Sequence, residues 1–354
     1  MKPAVSVVID TFNHERFIEE AVVSVLEQDF AASDMEILVV DDGSTDRTPE
    51  ILRKFGPRVR VLTKTNGGQA SAFNAGIKEV RGEIVAFLDG DDWWARTKLS
   101  RVMEAMAAEP EVGIIGHGIT LVFRDGREQQ ETLRDGFRFR ADSVEGARLF
   151  RVRRSFMGTS RMTIRTSLLA EIGRVPEAIA IEADEYLFTL AAILRPVRIL
   201  PESLTFYRMH EGNLYQMAEM DGARAKRKQA VIAALADSLG AELERRGVAE
   251  PVRSILAGTV RNEADQLRLI LGEGWPWETV RIEWQTYRML HPDAALSHRI
   301  FKLMTLLPAL VVRPAFFYKA QRKLAGSDFY LRARKRLLPI PQMTHIDKAA
   351  KRRA

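Results

Sequence analysis

Six aspartates are gathered at three points in the first hundred residues, each beside a short apolar run. They are Asp10, Asp41, Asp42, Asp89, Asp91 and Asp92. Carboxylates brought this close would repel one another, so the arrangement needs a cation, hydrogen-bond donors or both. Asp89 and Asp91 alternate just past an apolar run and can direct two carboxylates at one point. Such oxygen ligands suit Mn²⁺ or Mg²⁺, which also bind the phosphate oxygens of a substrate.

The same segment also allows a structural interpretation. Asp92 could cap a helix that starts near Trp93, and the other carboxylates could be solvated loop residues. Asp-x-Asp pairs are common in protein sequences, so this pair alone does not indicate a metal site. The strands and helices predicted around it are needed to distinguish the two interpretations.

Strand and helix signals alternate over the first third of the chain. Apolar runs predict strands at Val5–Ile9, Glu36–Val40, Val59–Thr63 and Ile84–Leu88. Helical spacing or capping residues predict helices at Glu15–Gln28, around Pro49–Phe55, and from the turn at Gly67-Gly68 to Ile77. This alternation predicts an α/β fold with a mostly parallel sheet flanked by helices. The aspartates follow three of these strands, at the carboxyl ends where such sheets bind ligands.

The later chain is expected to be largely helical. Val112–Phe123 predicts a further strand, residues 155–213 mix short strands and helices, and Ala223–Arg246 predicts a long helix. We therefore expect a catalytic domain at 1–213, a helical region at 214–299 and a basic amphipathic tail at 300–354.

The composition narrows the function classes. The 354 residues include no cysteine, which excludes disulfides, thiolate metal sites and cysteine nucleophiles. Neither a signal peptide nor an apolar window long enough to span a bilayer is visible, so a cytoplasmic protein is expected.

Four ordered motifs resemble family 2 glycosyltransferases of the GT-A fold. They are the segments at 5–13 (VSVVIDTFN), 39–46 (VVDDGSTD), 66–76 (NGGQASAFNAG) and 82–92 (GEIVAFLDGDD). The resemblance covers about residues 4–213, whereas the helical remainder is not diagnostic. It implies an inverting transferase that moves a sugar from a nucleotide-diphospho-sugar to a hydroxyl group, with a UDP-sugar as the expected donor.

The resemblance also implies roles for residues of the donor and metal sites. Asp42 matches the acidic residue that hydrogen-bonds the donor's base, whereas Asp41 supports the loop. The segment Thr11-Phe12-Asn13 matches the nucleotide-binding stretch, where Phe12 either stacks on the base or packs internally. Asp91 matches the metal-binding member of the Asp-x-Asp pair.

Two further residues complete the implied donor and metal sites. Asp89 is directed toward the ribose or the metal shell. His210, in the segment Tyr207-Arg208-Met209-His210, either completes that shell, touches the diphosphate or is structural.

The implied general base is Asp184, with Glu182 and Glu185 as competitors. It would deprotonate the acceptor hydroxyl, which then attacks from the face opposite the leaving diphosphate. A charge favoured at a helix N-terminus is the structural alternative for each of the three. The segment Gly158-Thr159-Ser160 resembles the loop that flanks the acceptor.

Trp93 and Trp94 offer a stacking face for a sugar ring, although a core role is expected for at least one of them.

Departures from the family pattern leave the donor sugar and the acceptor open. Asp10 replaces a common proline, and Phe73 stands where many relatives carry arginine. The resemblance points to cell-envelope polysaccharide or glycolipid synthesis, with a saccharide or lipid-linked acceptor.

Two other functions compete with glycosyl transfer. One is a nucleotidyltransferase that forms sugar nucleotides, which would need a Gly-rich loop with a basic residue after the first strand. The other is a non-catalytic relative that binds sugar or membrane, which would be expected to lack Asp91 or the acidic residue near 184.

The net charge of +6 is unevenly distributed. Residues 300–354 contain 13 Lys and Arg against two Asp and Glu, a net charge of +11, which leaves −5 for residues 1–299. Apolar Leu303–Val312 and the clusters 332–336 and 351–353 predict a helix on the anionic inner face of the membrane, with each cation contributing about 1 kcal/mol. The alternative is a helix docked on the protein with a basic end. Nucleic acid is not expected, because no basic stripe with interleaved aromatics lies near the acidic motifs.

Overall fold

The structure, a computed structural model, describes residues 2–210 and 222–325, without the side chains of Ser155 and of residues 322–325. The expected domain boundary at 213 and the basic clusters beyond residue 325 lie outside the described residues.

The described strands form one mixed sheet. They are β1 (Val5–Thr11), β2 (Met35–Asp41), β3 (Arg60–Thr63), β4 (Ile84–Asp89), β5 (Trp93–Trp94), β6 (Ile114–Val122), β7 (Glu128–Glu131), β8 (Phe137–Phe139), β9 (Thr163–Arg165) and β10 (Val197–Arg208). Their order is β3-β2-β1-β4-β9-β6-β10-β5, with β7 beside β6 and β8 beside β10. Strands β1 to β4 pair in parallel, whereas β9 is antiparallel to both β4 and β6.

Helices flank this sheet and continue beyond it. They are α1 (Ile18–Leu26), α2 (Thr48–Arg53), α3 (Gln69–Glu79), α4 (Lys98–Ala108), α5 (Val144–Arg153), α6 (Thr166–Ile172), α7 (Ala183–Leu194), α8 (Gly222–Arg245), α9 (Glu250–Arg253), α10 (Thr259–Ile270), α11 (Pro276–Leu290), α12 (Leu296–Leu306) and α13 (Pro314–Ala325). The predicted strand–helix alternation and the α/β fold class are confirmed.

The core forms where the predicted apolar runs place it. Strands β1 and β4 are buried on both faces because helices cover both sides of the sheet. Helix α1 contributes its buried stripe of Ile18, Val22 and Val25, spaced to lie on one face. Each large aliphatic side chain buried in this way contributes about 1.5–3 kcal/mol.

The prediction of a helix starting near Trp93 is wrong. Trp93 and Trp94 form β5, which pairs antiparallel with Phe206 and Thr205 of β10, and the helix begins only at Lys98. A partner more than a hundred positions away determines this strand, so no local pattern could reveal it.

The chain divides into two compact units, residues 1–261 and 262–354. The first contains the sheet and α8. In the second, helix α12 crosses the expected boundary at 299/300, and a small core is built from Leu269, Ile282, Leu306, Ala309, Phe317 and Tyr318. Among the described helices, none combines the length and apolar character needed to cross a bilayer.

Candidate active site

The strand register places the predicted site residues side by side. Asp10 of β1 pairs with Asp89 of β4, and Thr11 pairs with Asp41 of β2. Because these strands are parallel, their carboxyl ends meet at one edge of the sheet. We call the aspartates at this edge, Asp10, Asp41, Asp42, Asp89, Asp91 and Asp92, the carboxylate rim.

Asp42 is buried and its carboxylate is surrounded by donors. Lys64 Nζ lies 2.5 Å from Oδ1, and the backbone N–H groups of Gly67 and Gly68 donate to the carboxylate at 3.1 and 2.7 Å. Gly68 adopts φ = +81°, and a Cβ there would lie 2.6 Å from the carbonyl oxygen of Ala180. Only glycine allows the backbone this approach, so the loop that holds Asp42 depends on it.

The loops after β1 and β2 are tied together. Asn13 adopts φ = +56°, its N–H donates to Ser44 Oγ at 2.9 Å, and its Oδ1 accepts from the Thr45 N–H at 2.8 Å. Asp41 Oδ1 accepts from the Ser44 N–H at 2.9 Å. Phe12 is 42% exposed at this loop, which leaves its ring available for stacking.

Ser160 holds two rim carboxylates. Its hydroxyl lies 2.6 Å from Asp92 Oδ2 and 3.3 Å from Asp89 Oδ2. Asp92 Oδ1 accepts from the Arg208 N–H at 3.1 Å, so Asp92 joins β10 to the rim and does not cap a helix. Burial, reinforced by neighbouring carboxylates, raises the pKa of both Asp89 and Asp92 well above its ordinary value.

Asp91 is flanked by two histidines. His210 Nε2 lies 2.9 Å from Asp91 Oδ2, and His14 Nε2 lies 3.9 Å from the same oxygen. His14 Nδ1 in turn contacts the buried Thr11 hydroxyl at 3.2 Å. Burial acts to raise the pKa of Asp91, but the hydrogen bond with His210 and the charge of His14 outweigh it and hold the pKa below its ordinary value.

The carboxyl group of Asp10 is not fully hydrogen-bonded within the described residues. Its Oδ1 is buried and has no hydrogen-bond partner among them. Burial and the nearby charge of Asp91 raise the pKa of Asp10 to about 8. An unpartnered carboxylate oxygen beside other carboxylates is the setting in which a divalent cation lowers the free energy, so the residues of the rim fit such an ion.

The predicted metal set is not assembled as a closed site. In the part of the chain that the structure describes, no three His, Asp or Glu side chains are grouped so that they hold an ion by themselves. Asp91 and His210 are in contact, whereas Asp89 is turned toward Ser160. This fits Mg²⁺ or Mn²⁺ chemistry in which one or two carboxylates, substrate phosphates and water share the shell.

Asp184 lies at the start of α7, facing the loop at Gly158 and Thr159. Its Oδ2 accepts from the N–H and the hydroxyl of Thr159 at 2.9 and 3.1 Å, and its Oδ1 accepts from the Glu185 N–H at 2.8 Å. A Cβ at Gly158 would lie 3.7 Å from Oδ2. Burial raises the pKa of Asp184 despite the bonds from Thr159, which makes the carboxylate a better proton acceptor.

The two competitors of Asp184 are held in ion pairs. Glu185 is buried between Arg151, 2.5 Å away, and Arg154. Glu182 adopts φ = +59° and pairs with Lys228 at 3.0 Å. Of the three acidic residues, only Asp184 has no ion-pair partner among the described residues.

Trp93 and Trp94 have different surroundings. Trp94 is buried, donates from Nε1 to the Ser160 carbonyl oxygen at 2.9 Å and carries Lys98 Nζ 3.4 Å from its ring centroid, so a core role is confirmed for it. Trp93 is partly exposed, but it stacks on Phe206 at 5.2 Å and lies under the Arg208 guanidinium. Side chains of the protein itself therefore cover much of the Trp93 ring, which leaves less of it for stacking with a sugar.

Three polar residues at the site were not predicted: His14, Lys64 and Gln69. Gln69 connects the rim with α7, because its Nε2 lies 3.4 Å from Asp89 Oδ1 and 3.2 Å from Thr159 Oγ1, while its Oε1 accepts from the Ala183 N–H. His14 directly follows Asn13 and Gln69 directly follows Gly68, so their position beside recognised motif residues was the available signal. Lys64 follows β3, a strand end that carries no aspartate.

The family model described as glycosyl transferase family 2 matches residues 6–172. An uncharacterised glycosyltransferase of Nostoc sp. is 32% identical over 219 residues, which span 60% of this chain and 67% of the relative. A putative teichuronic acid biosynthesis glycosyltransferase of Bacillus subtilis, TuaG, is 38% identical over 129 residues, 35% of this chain and 50% of the relative.

Two solved structures share the fold, which confirms the predicted GT-A-type fold class. S. aureus TarS in complex with UDP-GlcNAc superposes with a TM-score of 0.59 at 19% identity, covering 91% of this chain and 92% of that one. The mannosyltransferase PcManGT of Pyrobaculum calidifontis, in complex with GDP-Man and Mn²⁺, gives 0.52 at 20% identity, covering 94% and 83%. With the motifs, the rim and these similarities taken together, the chain belongs to glycosyl transferase family 2 and is a glycosyltransferase.

Proposed function

We propose that the protein transfers a sugar from a nucleotide-diphospho-sugar to a hydroxyl acceptor with inversion and with the help of Mn²⁺ or Mg²⁺. The observation that carries this proposal is that the site combines two kinds of carboxyl group. One is the rim, where Asp10 Oδ1 is buried without a partner among the described residues, and the other is Asp184, a separate carboxylate of raised pKa. The rim suits a divalent cation, and Asp184 suits a general base.

The donor nucleotide is assigned to the loops after β1 and β2. The exposed ring of Phe12 would stack on the base, and Asp42, fixed by Lys64 and the glycine loop, would hydrogen-bond its edge. Thr11, whose hydroxyl contacts His14, and Asn13, whose Oδ1 accepts from the Thr45 N–H, would fix the loop that carries Phe12. The structurally similar TarS binds UDP-GlcNAc and PcManGT binds GDP-Man, which supports a nucleotide-sugar donor, with UDP as our first choice.

The diphosphate is assigned to the edge of the rim at Asp89, Asp91 and His210. These side chains, with Asp10 behind them, would hold the divalent ion together with substrate oxygens and water. A bound ion would stabilise the negative charge that develops on the departing diphosphate. The depressed pKa of Asp91 keeps that carboxylate anionic, so the residue is ready to bind a cation without losing a proton first.

Asp184 is assigned as the general base. It would accept the proton of the acceptor hydroxyl as that oxygen bonds to the anomeric carbon and the bond from carbon to the diphosphate oxygen breaks. The Thr159 N–H and hydroxyl fix the orientation of its carboxylate, and Gly158 leaves room beside Oδ2. A single displacement of this kind inverts the anomeric centre.

The acceptor is proposed to be a saccharide or lipid-linked saccharide of the cell envelope, reached from the cytoplasmic side. The similarity to TuaG, described as a putative teichuronic acid biosynthesis glycosyltransferase, supports this class of acceptor.

The two alternatives are less well supported. A nucleotidyltransferase would need a basic Gly-rich loop after the first strand, where this chain has Asp10 to Asn13. A non-catalytic relative is disfavoured because Asp91 and Asp184 are both present.

The test is metal-dependent donor binding. Calorimetry of the purified protein with a panel of nucleotide sugars should show binding that requires Mn²⁺ or Mg²⁺, and Asp91→Ala should abolish it. Asp125→Ala, which removes a carboxylate from an exposed turn, is the matched control and should bind as the unchanged protein does. Metal-independent binding, or normal binding by Asp91→Ala, would contradict the proposal.

A further inference from the structure

The second unit exposes an apolar face. Along α12 and the turn that follows it, large apolar side chains recur at helical spacing with 44–84% of their surface exposed. They are Leu296, Ile300, Leu303, Met304, Leu307, Leu310 and Val311. Phe316 of α13 adds a further exposed ring at 64%. Monomeric proteins rarely expose so many large apolar side chains in one short segment without a partner.

The segment that exposes these apolar side chains is itself well packed against the rest of the second unit. Leu306 and Ala309 from the same stretch are fully buried in the core of this unit, together with Phe317 and Tyr318 of α13. His298 is also buried, where its Nδ1 lies 2.7 Å from the Tyr287 hydroxyl. One side of the segment is therefore fixed in the unit's core, and the opposite apolar side is held toward solvent.

The sequence segment that carries this face contains basic residues and no acidic ones. Residues 294–325 contain six Lys and Arg and no Asp or Glu. Lys302 is paired with the buried Glu283, while Arg299 donates to the backbone carbonyls of Ala294 and Pro292 and so keeps its net charge. Residues 326–354 add eight Lys and Arg against two Asp.

An apolar face bordered by cations fits one partner best, an anionic lipid bilayer. Apolar side chains can enter the boundary between head groups and acyl chains while Lys and Arg remain at the phosphates. A second copy of the chain fits less well, because a twofold contact would place the same surface on both sides and bring like charges together. We infer that the face formed by Leu296, Ile300, Leu303, Met304, Leu307, Leu310, Val311 and Phe316 lies in the surface of an anionic membrane. The inference does not depend on the proposed donor or metal.

Vesicle flotation of the full chain tests this inference. The protein should float with phosphatidylcholine vesicles that contain phosphatidylglycerol and should remain unbound with phosphatidylcholine alone. Raised salt should weaken the binding, because it screens the attraction to the lipid phosphates. An unchanged protein that does not float with the anionic vesicles would overturn the inference.

A pair of variants tests the face itself. Met304→Asp/Val311→Asp changes two of its most exposed residues, at 60% and 84%, and should lower partitioning to anionic vesicles about tenfold or more. The matched control is Val152→Asp, at an exposed apolar residue of α5, which should bind as the unchanged protein does. Because all three positions are exposed, thermal unfolding should show each variant to be folded.

Two results would refute the face as the membrane contact. Equal flotation of the double variant and the unchanged protein would assign binding to the cations of the tail alone. A concentration-dependent dimer in sedimentation, lost in the double variant and accompanied by no lipid binding, would show that a second copy covers the face.

Discussion

At the scale of single residues, environment separates the roles of three neighbouring carboxylates. Glu182, Asp184 and Glu185 lie within four positions, but their partners come from distant parts of the chain. Glu185 is neutralised by two arginines 31 and 34 positions earlier, and Glu182 by Lys228. Sequence reasoning could propose all three as the base and prefer Asp184 by resemblance. It could not show that the other two are held in ion pairs.

This separation predicts that Asp184→Asn binds donor normally but transfers sugar about 10²–10⁴ times more slowly, the usual contribution of a general base. The amide keeps the shape of the side chain, yet it cannot accept a proton. Donor affinity by calorimetry and turnover with a soluble acceptor are the two measurements.

Glu182→Gln is the matched control for that experiment. It removes the charge of a neighbouring acid that already pairs with Lys228, so transfer should continue at a rate near that of the unchanged enzyme. Normal turnover by Asp184→Asn would show that Asp184 is not the general base. Loss of turnover in Glu182→Gln alone would assign that role to Glu182 instead.

At the scale of elements, the parallel part of the sheet was predictable because its strands are apolar on both faces and are followed by helices. Because ligands bind at the carboxyl ends of parallel strands, the order of the motifs alone predicts that the three aspartate groups share one edge. The antiparallel strands were not visible in this way. β9 has three residues and β5 has two, and each exists because distant strands supply its hydrogen bonds.

The loop between β3 and α3 offers a test of how an element positions the site. Gly68→Ala would force a side chain into a left-handed conformation and against the Ala180 carbonyl, which would displace the two N–H groups that hold Asp42. We expect donor affinity, measured by calorimetry, to fall about tenfold or more, equivalent to about 1.4 kcal/mol.

Gly56→Ala separates this effect from backbone strain alone. Gly56 also adopts a positive φ, +55°, but nothing lies within 4 Å of its added Cβ. This variant should lose about 1–2 kcal/mol of unfolding free energy while it keeps its donor affinity. Equal donor affinity in both alanine variants would show that the Gly68 loop does not determine the position of Asp42.

At the scale of the whole molecule, the division between an acidic part, residues 1–299, and a basic end was readable from the distribution of charge alone. Which apolar residues of this end face solvent and which face its core could not be predicted from the sequence. Leu303 and Leu307 are exposed whereas Leu306 is buried, although all three are leucines within five positions. Only the packing of the second unit's core decides which of them faces water, and that packing involves residues as distant as Leu269.

The sheet unit also buries two basic groups away from carboxylates. Lys98 contacts the Trp94 ring and the Thr163 hydroxyl, 3.4 Å from its Nζ, and burial lowers its pKa well below the ordinary value. His117 is fully buried, with Nδ1 2.8 Å from the Gly118 carbonyl oxygen and with Nε2 unpartnered among the described residues. Burial, with a further contribution from Lys98, lowers the pKa of His117 well below 6.5.

These lowered pKa values predict a protein that becomes less stable in acid. A histidine that is neutral when folded gains a proton on unfolding once the pH falls below its unfolded pKa of about 6.5, so the unfolded state binds more protons. Above that pH, His117 does not make the free energy of unfolding depend on pH. Below it, this group should lower the free energy of unfolding by up to about 1.4 kcal/mol for each pH unit of acidification. Urea unfolding between about pH 7 and pH 5 measures the slope, and His117→Gln, which retains a donor for the Gly118 carbonyl but cannot titrate, should flatten it. An identical slope in the variant would show that His117 is not the group that takes up the proton, and Lys98, whose window lies between its lowered pKa and 10.5, would be the next to replace.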